Sequence, residues 1–157
     1  MDLSAEAEIA APAPWVFDQL ADFARFEQLA RERGTRVERM AEAGAPVGPG
    51  TSWDIHVTFR GHERHLKPRV TRWSPPEGYQ LTSASQGLVL TVDVALTPKG
   101  ERSTGLRLSV SAEGKSLKTK VFLTSLSLGQ GRMTARLQER VNGYAETLSQ
   151  RYPGAGA

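Results

Sequence analysis

Three histidines, His56, His62 and His65, crowd one stretch of the chain together with Asp54 and Glu63, residue types that bind transition metals. A zinc site needs its ligands to converge within about 2.0–2.2 Å of the ion. In the alternating pattern around them, His56 and His65 share an outer face but sit diagonally, while His62 falls in a turn. That spacing does not close a ligand set, so exposed histidines and no metal are expected. Asp54 and Arg69 fall on the same outer face, and a surface ion pair worth about 0–1 kcal/mol is expected of them rather than an acid–base couple. Arg64 is different. It faces inward beside Phe59, where a guanidinium needs either a partner or the mouth of a cavity. It can hold a ligand carboxylate or phosphate through paired hydrogen bonds, or reach past the sheet end to water. The sequence leaves both open.

Tyr79 and Ser83 place polar tips on an inner strand face, and Ser125 is expected to add one from the final helix. A few polar groups in an apolar lining are what orient a small ligand. No Ser-His-Asp order, phosphate loop, dinucleotide fingerprint or Glu-rich metal motif occurs. The inner positions hold almost no Asp, Glu or His, which weighs against acid–base catalysis. With no cysteine in 157 residues, disulfides, thiolate metal sites and a cysteine nucleophile are excluded. No cofactor is expected.

These side chains hang on readable elements. Leu3, Ala5, Ala7 and Ile9 alternate with polar residues as a half-buried strand does. Ala11, Pro12, Ala13 and Pro14 break that strand and open a helix, since proline is tolerated in a first turn. Val16, Phe17, Leu20, Phe23 and, past a kink, Phe26 and Leu29 keep an apolar helical face that Gly34 ends. A second strand over residues 36–42 leads into a glycine- and proline-rich loop at 44–50.

Trp53, Ile55, Val57 and Phe59 then alternate cleanly, and Gly61-His62 offers a two-residue hairpin turn. That turn sets Phe59 against Arg64, Val57 against Leu66, Ile55 against Pro68 and Trp53 against Val70 on the inner side. Outside, it sets Arg60 against Glu63, Thr58 against His65, His56 against Lys67 and Asp54 against Arg69. Apolar and opposite-charge pairs both segregate, as cross-strand stabilisation requires. Pro68 marks a bulge or unpaired position in the returning strand.

Further strands carry Tyr79, Leu81 and Ser83, then Leu88, Leu90, Val92, Val94 and Leu96, then Leu106, Leu108 and Val110. Short turns join them, so about seven antiparallel strands are expected. After Gly114 the period becomes helical through Leu117, Val121, Phe122, Leu126, Met133, Leu137, Val141, Tyr144 and Leu148. Gly129 and Gly131 weaken this long helix in its middle by about 1 kcal/mol each and mark a kink or a close approach. Residues 1–152 form one domain and residues 153–157 a flexible tail.

The order of strand, helix pair, antiparallel strands and long terminal helix resembles the START-like helix-grip superfamily (SRPBCC), which includes polyketide cyclase/dehydrase and lipid-transport types. The run from Ile9 through Pro12 and Pro14 to Asp18, Leu20 and Phe23 is similar to that group's entry motif. Val47, Gly48, Pro49 and Gly50, and the run from Val70 through Trp73 to Pro76, match later landmarks. The resemblance implies an α+β helix-grip fold, a curved antiparallel sheet around the C-terminal helix, and an internal cavity for a small hydrophobic or amphipathic ligand. Its landmarks are structural and carry no catalytic residues, so it implies fold and a ligand cavity but hardly any reaction type. A cyclase, dehydratase or isomerase is the enzymatic alternative, with Arg64 or Tyr79 polarising a carbonyl.

The expected lining is Trp53, Ile55, Val57, Phe59, Arg64 and Leu66 from the hairpin. Tyr79, Leu81, Ser83, Leu90, Val92, Val94 and Leu108 add the sheet, and Phe122, Ser125 and Met133 the helix. Periodicity gives the side a residue faces, not whether a void lies there.

The net charge of +3 gathers in Arg60, Arg64, Lys67, Arg69 and Arg72, opposed by Glu63. A solvated strand face accounts for such a cluster, and an interaction module using this basic surface is a further alternative. No specific nucleic acid is expected, and no apolar run is long enough to span a bilayer. The acidic N-terminus lacks the pattern of a signal peptide, which makes the cytoplasm the default location. Monomer and homodimer are both open.

Overall fold

The computed structural model describes residues 1–40 and 45–154. Strand β1 (Asp2–Ile9) leads into helices α1 (Ala13–Leu20) and α2 (Phe23–Glu32). Seven strands follow: β2 (Arg36–Arg39), β3 (Trp53–Phe59), β4 (His62–Leu66), β5 (Pro68–Ser74), β6 (Gly78–Ser85), β7 (Leu88–Gly100) and β8 (Ser103–Gly114). Helices α3 (Leu117–Ser127) and α4 (Gln130–Arg151) complete the chain. This is the expected α+β helix-grip architecture. Glu42 and Gly44, placed by sequence in the second strand and the loop after it, lie outside the described residues, as do 155–157 of the expected tail.

The strands form a five-stranded antiparallel sheet in the order β1-β8-β7-β6-β5 and a three-stranded sheet in the order β2-β3-β4. An isolated bridge from Ser52 to Arg69 joins them. Among the described residues there are therefore eight strands rather than about seven. The extra one arises at Lys67. Pro68 has no N–H to continue the β3–β4 ladder, and the Lys67 N–H is accepted by Ser83 Oγ at 2.9 Å. The returning strand thus passes from the small sheet to β6, where Pro68 pairs with Ser83.

The hairpin register also differs from the expected one. Arg60 (φ 50°) and Gly61 (φ 77°) make the turn, not Gly61 and His62. Positive φ at both central residues is the type I′ geometry, whose twist matches the flanking strands. Phe59 now faces His62, Val57 faces Arg64, Ile55 faces Leu66 and His56 faces His65. The shift is by two residues. Since side chains alternate with a period of two, every residue keeps its expected face while changing its partner.

The core joins Ile9, Val16, Leu20, Phe23, Trp53, Tyr79, Leu106 and Leu148 across both sheets and the helices. Leu29 is exposed instead of lying on the apolar face of α2, and Glu27 turns inward. The terminal helix is two helices: α3 ends at Ser127 with Leu128 as its cap and Gly129 caps α4, so the glycine weakness is a break rather than a kink.

Candidate ligand-binding cavity

The inward residues of β3 and β4 meet the concave face of β7 and β8 beneath α3. Val57, Phe59, Arg64 and Leu66 form one wall, Leu88, Leu90, Val110 and Ala112 the floor, and Phe122, Leu123, Leu126 and Met133 the roof. They line a cavity of about 250 Å³ that opens to solvent. Every lining residue is apolar except Arg64. Its guanidinium lies 4.7 Å from the centre of the Phe122 ring, a cation–π contact. The Phe122 ring in turn meets Phe59 edge-on at 6.5 Å. Among the described residues no carboxylate pairs with Arg64. The side chain is half-buried and, among the described residues, a ring face is what meets its charge.

The gap under the helices follows from where they are tethered. α4 packs along edge strand β1 and gives several of the outward backbone groups in and just after that strand a partner. Gln138 donates to the Glu6 carbonyl at 2.7 Å and accepts its N–H at 3.2 Å, Gln130 donates to the Asp2 carbonyl, and Ser149 accepts the Ala10 N–H. Bound to the edge, α4 leaves the middle of the sheet less covered. α3 is fixed at its N-terminus. Ser116 Oγ accepts the Thr119 N–H, and Thr119 Oγ1 donates to the Gly87 carbonyl at 2.9 Å. Gly114 lets β8 run directly under this turn, since a Cβ there would lie 2.8 Å from the Lys120 nitrogen.

Two more apolar clefts, each more open than the first, continue along the same inner surface. One of about 260 Å³ lies among Phe23, Phe26, Trp53, Ile55, Pro68 and Leu81. The other, about 310 Å³, lies among Phe26, Val94, Leu108, Leu137, Val141 and Tyr144. Strand by strand they are neighbours: Val57 lines the first cavity and Ile55 the second, while Leu90 lines the first and Val94 the third.

The sequence-derived lining therefore separates into groups. Val57, Phe59, Arg64, Leu66, Leu90, Phe122 and Met133 surround the first cavity; Trp53, Ile55, Tyr79 and Leu81 border the second; Val94 and Leu108 border the third. Val92 packs against the core between them. Ser83 is buried, but its hydroxyl is engaged by Lys67. Tyr79 donates its hydroxyl to the Leu20 carbonyl at 2.7 Å, closing the end of α1, and burial pushes its phenol well above the ordinary range. Ser125 is exposed. The face of α3 that turns inward carries Phe122, Leu123 and Leu126, which leaves Ser125 on the solvent-exposed flank.

Glu27 was not anticipated. The residue is 8% exposed, and its carboxylate receives Arg39 through two bonds of 3.1 and 2.7 Å and accepts the Trp53 indole N–H at 3.2 Å. It sits at the rim of the second cavity. The available signal was its spacing of four from Phe23, which puts it on the apolar stripe of α2. Tyr144, beside the third cavity, has its phenol pushed up to about 12 by burial.

The outer face of the small sheet holds the histidines. His56 and His65 stack with ring centres 4.2 Å apart, directly paired rather than diagonal. Asp54 meets His65 Nε2 at 2.9 Å and not Arg69, because the two-residue shift brings His65 alongside and leaves Arg69 opposite Ser52. That hydrogen bond holds the Asp54 carboxyl below its ordinary range. His62 is an exposed strand residue, not part of the turn. No cluster of three or more metal-binding side chains forms among the described residues. An open recess of about 410 Å³ lies on this side, where Arg31 and Arg36 face Glu38 and Asp54. Its charges oppose one another, and Val37 is the one residue it shares with the lining of the second cavity.

No protein-family model and no curated sequence matches the chain. Solved structures do. An aromatase/cyclase, Zhui, from Streptomyces sp. R1128 superposes with a TM-score of 0.68 at 16% identity, covering 100% of this chain and 98% of that one. TTHA0849 from Thermus thermophilus gives 0.64 at 18% identity with 100% of both chains covered. A START superfamily protein from Mycobacterium smegmatis gives 0.62 at 19%, covering 94% of this chain and 98% of that one. At such identities the likeness is one of fold.

Proposed function

We propose that this chain, which has the START-like helix-grip fold, binds and carries a small amphipathic ligand, its apolar body in the cavity under α3 and its anionic end at Arg64. The observation that carries this reading is an otherwise wholly apolar lining with one arginine that no carboxylate of the described residues neutralises. A carboxylate or phosphate would give that guanidinium the paired, charge-assisted hydrogen bonds it lacks. Covering about 200–300 Å² of ligand apolar surface contributes some 5–8 kcal/mol before the costs of association. Each cavity lies near the lower bound of about 300 Å³ for small-molecule sites, so a longer ligand extends from the first toward its neighbours. Carriage is favoured over turnover because two ionisable groups bordering the second cavity are already committed: Glu27 to Arg39 and Trp53, and Tyr79 to Leu20.

Displacement titrations with a fluorescent long-chain carboxylate and the matching alcohol test this. The wild-type protein should bind both and prefer the carboxylate. Arg64→Ala should lower carboxylate affinity about tenfold or more while leaving the alcohol almost unchanged, since a hydrogen bond to a charged group contributes about 1.5–3 kcal/mol. Tyr79→Phe should leave both affinities intact. Failure of the wild type to bind either probe, or an unchanged preference in Arg64→Ala, would refute the reading.

A further inference from the structure

Helix α3 is apolar on two opposite sides, and only one is covered. Phe122, Leu123 and Leu126 look into the cavity. On the reverse, Leu117, Val121 and Leu128 are 81%, 61% and 89% exposed. Their spacing of four and seven residues aligns them in one stripe along the helix and its cap. At a turn of 100° per residue, Lys118 falls on one flank of that stripe and Lys120 on the other. The segment Leu117–Ser127 contains no Asp or Glu. Beside it, at the hairpin tip, Phe59 is 41% exposed next to Phe122, and Arg60 lies over the Phe59 ring.

We infer that α3 is a docking helix for an anionic lipid bilayer, with the leucine–valine stripe entering the headgroup–acyl boundary and the lysines, with Arg60, meeting lipid phosphates. An apolar stripe bordered on both sides by lysines, with no acid among them, has the charge pattern of an interfacial helix. A second copy of the chain fits the patch poorly. Two-fold pairing would set the lysine-flanked stripe against itself, and three side chains on one short helix fall far below the roughly 800 Å² per partner of a stable interface. Docking would lay the roof of the cavity on the membrane, with the Phe59–Phe122 contact at the boundary.

Co-sedimentation with vesicles reads this without any ligand in the cavity, so its outcome is independent of the carriage reading. The wild-type protein should pellet with vesicles of equal parts phosphatidylcholine and phosphatidylglycerol, and much less with phosphatidylcholine alone. Leu117→Ser combined with Leu128→Ser should cut partitioning about tenfold or more. Lys118→Gln combined with Lys120→Gln should cut it roughly 30-fold at low salt. All four changes are at exposed positions, and circular dichroism should show an unchanged fold. The inference is overturned if the wild type stays in solution with anionic vesicles, or if the leucine variant partitions like the wild type. It is equally overturned if sedimentation velocity shows the stripe consumed in a dimer that the leucine variant dissolves.

Discussion

Arg64 and Asp54 stand on paired strands of the same small sheet, and which face each occupies decides what it can do. Arg64 turns inward, where its partners are a phenyl ring and apolar side chains. Asp54 turns outward to His65, which holds its carboxyl below the ordinary 3.8. A carboxyl whose native pKa is depressed adds stability above its unfolded pKa, and that contribution fades as pH falls through the lower native value. Asp54→Asn should therefore be less stable than the wild type above about pH 4, with the two denaturation midpoints merging in stronger acid. A constant difference across the acid range would show that the pair is not the cause. The inward place of Arg64 was legible because alternation with a period of two survives any even change of register. The partner of Asp54 was not. It depended on whether Arg60 or His62 shares the turn with Gly61, and Arg60 accepts a left-handed conformation that glycine normally supplies.

At the scale of elements, the cavity exists because each helix is anchored at its margin. α2 is anchored by Glu27, whose carboxylate links it to Arg39 on β2 and Trp53 on β3. Removing the arginine leaves a buried carboxylate without its counter-charge. Arg39→Met should cost about 3 kcal/mol in urea unfolding, and Glu27→Gln added to it should restore part of that loss. A cost below about 0.5 kcal/mol would mean the pair behaves as a surface bridge. Strand order, hairpins and the helical stripe after Gly114 all show in the sequence, since periodicity reports which way a side chain points. It does not report distance. Nothing in the spacing of Gln130, Gln138 and Ser149 says that they bind the backbone of β1, and that attachment is what draws α4 away from the centre of the sheet. Ser125 illustrates the same gap: one step around α3 separates the lining from solvent.

Among the described residues, apolar clefts line the inner side of the molecule, and the helix that roofs the first of them, α3, is apolar outside as well. No helix among the described residues is long and apolar enough to cross a membrane; the outer stripe lies on the surface. The two faces of α3 give the central claim its most direct measurement. With methyl-labelled protein and an unlabelled long-chain carboxylate, intermolecular nuclear Overhauser contacts report which methyl groups touch the ligand chain. Occupation of the interior predicts contacts to Leu90, Leu126 and Met133. Contacts confined to Leu117, Val121 and Leu128, or none at saturating ligand, would contradict it.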